Sequence, residues 1–422
     1  MNILWLTNIP LPEASILLGD KLTPFGGWLI NASKALSDEK NIQLSIAFPK
    51  ININDVEILR GKKINYYVFC NIKEVSANED KSDNQLKNIL KLVKPDIVHI
   101  FGTEYPHTLS MVNICNEMQV KFVISIQGLV SICSKHYMAF LAEKVQNKFT
   151  LRDFVRQDNL KQQQKKFAIR GKFEIQAIQK AHHIIGRTTL DKALTKQINP
   201  EVQYHYCNET LREEFYKHLW TIDDCERYSI FISQATYPIK GFHLILEAMP
   251  LILKRFPKAK LYVAGSDITK TAILNEKLKI SSYAKHIKNL IYKYELSNKI
   301  RFTGLLDEKQ MCEKYLESNV FVCSSSIENS PNSLGEAMML GVPCVASYVG
   351  GIPDMLKHGE EGFLYQADAP YMLAHYICEI FKDDELAIKL SKNAREHALK
   401  THDRDKNTRQ LLKIYNNILL DD

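Results

Sequence analysis

The sequence predicts an α/β protein made of two doubly wound parallel-sheet domains, and three observations predict it. Short β-branched runs alternate with longer patterned stretches along the chain, the signature of βα units. A length of 422 residues exceeds one ordinary core and suits two. Residues 208–225 form a polar, charged tract without clean periodicity, as an interdomain connection does. The predicted boundaries are 1–207, a linker at 208–227, 228–400, and a terminal helical segment at 401–422.

Composition excludes several classes. The chain is 45% apolar and 24% charged, as a soluble globular protein is. Lys and Arg exceed Asp and Glu by 55 to 48, an excess compatible with anionic partners that selects none of them. Nine cysteines are scattered without a C-x-x-C pair, and several, such as Cys70, Cys323 and Cys344, sit in apolar strands. That argues for buried thiols in a reducing cytoplasm rather than a disulfide framework. The 13 histidines show no zinc spacing. The N-terminus runs straight into a strand without a basic leader, and no apolar run approaches the roughly 20 residues that span a bilayer. The expected location is cytoplasmic.

Taken in order, residues 2–8 form a buried strand, followed by a loop through Phe25, the pair Gly26-Gly27 and a helical pattern at 28–36. Too few glycines are present for a dinucleotide fingerprint. Strands follow at 42–48, 64–70, 96–101 and 121–127, with crossover helices at 84–93 and 107–118. Ligands of such sheets bind beyond the carboxyl ends of the strands. His99, Gly102, Thr103, Glu104, His107, Gln127 and Gly128 fall at or just past those ends.

Residues 144–172 carry nine Lys or Arg against two Asp, with Phe149, Leu151, Phe154, Val155, Leu160, Phe167 and Ile169 interleaved. Two readings stand here. One is a solvated helical face; the other is a basic amphipathic surface on anionic lipid at the inner face of the cytoplasmic membrane. A third reading, nucleic acid, is set aside because the stretch lacks any recognised binding module. Strands at 183–186 and 202–206 close the first half, with Arg187 directly after the former.

The second half restarts with a strand at 228–234, then Lys240-Gly241 and a helix at 242–256. Strands at 261–265 and 301–304 flank a charged, helix-rich insertion at 267–299. The stretch 317–365 holds a strand at 319–323, a polar loop, a helix, a strand at 343–349, and Gly350-Gly351 opening another helix. Ser333 with Glu336 makes a possible capping box. Ser330 followed by Pro331 makes an equally good cap, which leaves Glu336 deeper in the helix. A strand-end glycine pair before a helix offers amides to an anion, and two nearby carboxylates suit hydroxyls.

This stretch resembles the donor-binding signature of the family 4 glycosyltransferases, which have the GT-B fold. The quoted match is Glu328 to Glu336 as E-x7-E, Glu336-Ala-Met-Met-Leu-Gly-Val-Pro-Cys-Val-Ala-Ser347, and Gly350-Gly-Ile-Pro-Asp354. Lys-Pro-Asp-Ile-Val-His99 is similar to that family's P-D-x-V-H strand, and Lys240-Gly241 to the end of its R-x4-K-G element. The resemblance implies two Rossmann-like domains facing a cleft, with the last helix returning to the first domain. It implies retention at the anomeric carbon, and neither metal nor cofactor beyond a nucleotide diphosphate sugar. The acceptor would be a hydroxyl of a glycan or lipid-linked molecule, in bacterial surface polysaccharide biosynthesis.

The catalytic residues it implies are Glu328, Lys240, Gln127 and His99. Donor binding falls to Gly26, Gly27, Arg187, Lys240, Asn329, Ser330, Pro331, Asn332, Ser333, Glu336, Gly350 and Gly351. Three departures stand out. Gln127 replaces the family's histidine and cannot titrate. The arginine five residues before Lys240 is absent. Asn329-Ser330-Pro331-Asn332 displaces both glycines of the usual E-G-F-G loop. The same fold also serves nucleotide-sugar epimerases, sugar phosphorylases and non-catalytic binding proteins, which stand as alternatives.

Overall fold

The computed structural model describes residues 1–21, 26–71, 79–270 and 280–421. The end of the loop through Phe25 and the middle of the 267–299 insertion lie outside the described residues. The chain divides into two compact units: Met1–Ser131 with Ile169–Arg212 and Thr401–Asp422, and Ile132–Ala168 with Glu213–Lys400.

In the first unit, β1 (Asn2–Leu6), β2 (Gln43–Lys50), β3 (Glu57–Arg60), β4 (Asn65–Cys70), β5 (Ile97–Phe101), β6 (Phe122–Ser125), β7 (His183–Gly186) and β8 (Gln203–Tyr206) form one sheet. Its order is β3-β4-β2-β1-β5-β6-β7-β8. All pairings are parallel except that of β3 with β4. The central strands β1 and β5 are buried on both faces, which explains their apolar runs, broken in β5 only by His99. Strand β3 was not anticipated. It is a mostly exposed edge strand of mixed polarity, so no hydrophobic period marks it.

The last helix, Arg404–Leu420, packs in this first unit. Its Tyr415 is fully buried and ties the helix to the sheet. The Trp5 indole donates to Tyr415 Oη at 3.1 Å, and Tyr415 Oη lies 2.5 Å from His99 Nδ1. The other ring nitrogen, His99 Nε2, lies 2.7 Å from Ser125 Oγ, so both nitrogens of the buried imidazole are engaged.

In the second unit, β9 (Glu226–Ile232), β10 (Lys260–Val263), β11 (Ile300–Phe302), β12 (Ser318–Cys323), β13 (Cys344–Ser347) and β14 (Phe363–Tyr365) form an all-parallel sheet. Its order is β11-β10-β9-β12-β13-β14. The chain leaves β9 toward β10 and later returns to the other side of β9 with β12. The carboxyl ends of β9 and β12 therefore flank a topological switch point, where open α/β sheets bind ligands. Strand β14 is only three residues long, below the length at which a pattern can be read.

Residues 132–168, expected within the first domain, belong to the second unit. Buried polar contacts hold them there. Ser282 N donates to Asp153 Oδ2 at 3.0 Å, and Ser326 Oγ donates to His136 O at 3.3 Å. The stretch is also broken into the helices Glu143–Gln146 and Leu151–Arg156 and the start of Leu160–Lys180, not one amphipathic helix.

Candidate active site

Two loops leave the switch point of the second sheet. After β9 the chain passes through a single 3-10 turn, Pro238–Lys240, to Gly241 at φ +69 and the helix Phe242–Arg255. Only glycine suits that position. A Cβ there would lie 1.7 Å from Ser324 O, inside the backbone of the neighbouring loop. Ser324 Oγ donates to Lys240 O at 3.0 Å, and Ser326 N donates to Ile239 O at 2.7 Å. The β9 and β12 loops are thereby laced together.

Across that seam Lys240 Nζ meets Glu328 Oε1 at 2.5 Å, with the side chains 30% and 14% exposed. Burial alone would lower the Lys240 pKa, but the Glu328 carboxylate outweighs it and the lysine is held above its ordinary value. The ammonium thus stays charged through neutral pH. Ser325 Oγ donates to the same Glu328 oxygen at 2.7 Å, and Ser347 Oγ at the end of β13 donates to Ser325 O at 2.6 Å. A chain of small hydroxyls thus fixes the carboxylate from behind. Nothing in the sequence pattern singled out Ser325, since a serine in a polar loop is unremarked until the register places it, and the motif that ends at Ser347 gave that serine no role.

Glu336 resolves in favour of the deeper position. The helix Asn332–Leu340 has Pro331 at its N-cap with no side-chain cap, so Ser333 is not the capping residue and Glu336 lies in the second turn. It is 5% exposed. Asn329 is buried, and Ser330, Asn332 and Ser333 are partly so. At the next strand end Gly350 takes φ +54, and Gly351 caps the short helix Ile352–Met355. The expectation that the Gly351 amide faces an anion is corrected. Gly351 N donates to Glu328 O at 3.0 Å, so this amide anchors the Glu328 loop.

The remaining candidates lie in the first unit. Gly26 (φ +76) caps the helix Gly27–Ser37, whose first residue is Gly27. His99 is 1% exposed with both ring nitrogens engaged, and burial lowers its pKa to about 3. A histidine so buried stays neutral near pH 7 and has both ring nitrogens committed within the fold, so its expected catalytic role gives way to a structural one. Arg187 is likewise not an uncommitted cation. Its guanidinium sits 2.6 Å from Glu209 Oε1, the same oxygen to which Gln127 Nε2 donates at 2.6 Å. Glu209 fell in the tract read as linker and was not anticipated. It lines a concavity with Trp28, His99, Phe101 and Arg187, and its second oxygen, Oε2, has no partner among the described residues.

Comparison with known proteins bears on both units. Residues 213–397 match the family model of glycosyl transferases group 1. N-acetyl-alpha-D-glucosaminyl L-malate synthase of Bacillus anthracis is 30% identical over 136 residues, 32% of this chain and 35% of that protein. The matches to curated relatives cover less than half of either chain. Sucrose-phosphate synthase from Thermosynechococcus elongatus superposes with a TM-score of 0.70 at 17% identity, covering 99% of this chain and 98% of that one. Anabaena Alr3699/HepE in complex with UDP-glucose does so at 0.68 and 15% identity, covering 99% and 100%. The fold is GT-B, and residues 213–397 are similar to the glycosyl transferases of group 1.

Proposed function

We propose that this GT-B protein is a retaining, metal-independent glycosyltransferase that moves a sugar from a nucleotide diphosphate sugar to a hydroxyl of a glycan or lipid-linked acceptor. The observation that carries the reading is the Lys240–Glu328 pair at the switch point of the second sheet. An ammonium has three protons, and Glu328 takes one, leaving two for phosphate oxygens. Lys240 then neutralises the diphosphate as it departs, an electrostatic contribution of several kcal/mol for a well-placed donor. Glu336 receives the ribose hydroxyls. The loop Asn329 to Asn332 reads the sugar, with Glu328 held by Ser325 at its edge.

The name of one structural neighbour records UDP-glucose and supports a nucleotide-sugar donor here. On the acceptor side, Gln127 and the unpaired oxygen of Glu209 supply hydrogen-bonding groups for hydroxyls. The setting that fits is surface polysaccharide assembly, with the enzyme peripheral to an anionic membrane. Among the described residues no helix is long and apolar enough to cross a membrane.

The test is a panel of nucleotide sugars scored for protection against thermal unfolding, followed by NMR of the product anomer from the donor that protects. Protection by one donor and transfer with retained configuration support the proposal, with activity unchanged by EDTA. Release of an epimerised sugar, or of a sugar phosphate, would move the protein to another GT-B activity. A panel without any protection would leave no donor site.

A further inference from the structure

The basic stretch at 144–168 does something more specific than its composition suggests. Its apolar residues are sorted by the fold. Val145 and Leu160 are buried, and Phe167 packs on Tyr137. Phe149, Leu151, Phe154 and Val155 instead point outward, 54%, 57%, 59% and 73% exposed. Among the described residues no other window of seven exposes four large apolar side chains. The Phe149 and Phe154 rings meet edge to face at 6.2 Å, so they form one knob.

The inner side of the same short helix, Leu151–Arg156, is anchored. Thr150 and Asp153 form a reciprocal capping box. Asp153 also accepts from Ser282 N, and Arg152 is paired with Asp153 at 3.3 Å and Asp158 at 2.8 Å. The two acids of the helix and its following turn are therefore used internally. In the same segment Lys144, Lys148, Arg156, Lys161, Lys165 and Lys166 are all exposed, and Glu143 is the one exposed acid in 143–168. Exposed aromatic and aliphatic side chains on an anchored base, in a segment whose exposed charges are almost all cationic, match the chemistry of a bilayer interface: apolar tips enter the acyl boundary while cations meet anionic headgroups.

We propose that Phe149, Leu151, Phe154 and Val155, together with the exposed cations of this segment, form a docking knob for the surface of an anionic phospholipid bilayer. The inference gives the lipid-linked acceptor reading a point of attachment, but vesicle binding needs no donor. Its failure would leave the donor site untouched, and a donor site that failed would leave it standing.

The test is co-sedimentation of the full chain with phosphatidylcholine vesicles, with and without about one-third phosphatidylglycerol. Binding is expected only to the anionic vesicles, weakening as salt rises over the range in which charge is screened. The triple variant F149S/F154S/V155S should lose at least tenfold in affinity, and K144E/K148E should lose a comparable amount. Circular dichroism and the melting temperature of both variants should stay at wild-type values, because none of these side chains is in the core. Equal sedimentation with neutral and anionic vesicles, or undiminished binding by the triple variant, would overturn the proposal. So would a concentration-dependent dimer in analytical ultracentrifugation that the triple variant abolishes, since the knob would then belong to a second copy of the chain.

Discussion

Replacing Lys240 by alanine removes one half of the pair that defines the site. In K240A the Glu328 carboxylate keeps Ser325 Oγ but loses its cation. Removing one partner of a fully buried pair costs about 3–5 kcal/mol, while an exposed pair is worth about 0.2–1 kcal/mol. With side chains 30% and 14% exposed, this pair falls between them, at about 1–2 kcal/mol. A double-mutant cycle with E328Q isolates that coupling, read from urea midpoints of the second unit. The catalytic cost is larger. Removing a well-placed electrostatic donor typically lowers kcat by roughly 10² to 10³, and the orphaned carboxylate adds repulsion toward a diphosphate. Turnover of the protective nucleotide sugar by K240A, E328Q and the double variant measures it. A coupling indistinguishable from zero, together with K240A turnover within threefold of wild type, would refute the assignment.

Other outcomes follow from the same geometry. Alanine at Gly241 must adopt φ +69 and place a Cβ 1.7 Å from Ser324 O. G241A should lose at least about 2 kcal/mol, from left-handed backbone strain and displacement of the β12 loop, and with it nucleotide-sugar protection in a thermal melt. E336Q keeps the volume of Glu336 but lacks its charge, and should weaken donor binding without a large change in melting temperature. A melting temperature that collapses would assign Glu336 to packing. Acid should unfold the protein early. Burial lowers His99, His107 and His243 to about 3. A histidine with a depressed folded pKa contributes stability that is present above its unfolded value, near 6.5, and is lost as pH falls below it. By pH 5 the loss is on the order of 2 kcal/mol for each. Urea midpoints that stay flat from pH 7 to 5 would contradict this, and H99Q should remove one such contribution.

What could be read from residue order depended on where each element sits. The doubly wound sheets were legible because β1, β5, β12 and the second half of β9 are buried on both faces and read as short, largely apolar runs. The exposed edge β3 and the three-residue β14 had no such pattern. The motif resemblance nominated Lys240, Glu328 and Glu336, all of which lie in the second unit. It could not tell that Gly351 spends its amide on Glu328 O, because that depends on how two loops meet. His99 and Arg187 were candidates for being polar at strand ends. Their partners, Tyr415 and Glu209, stand hundreds and tens of residues away, and only the fold brings them close. The Lys144–Lys172 stretch read as one face because charge is visible in a sequence, whereas the breaks that turn Leu160 in and Phe154 out are not.

The central claim is that the second unit grips a nucleoside diphosphate through Lys240 and Glu336, and calorimetric titration of UDP, GDP and ADP tests it most directly. One of the three should bind wild type at a single site and bind both K240A and E336A at least tenfold more weakly, about 1.4 kcal/mol or more. Absence of binding heat from all three, or equal affinity in wild type and both variants, would contradict it.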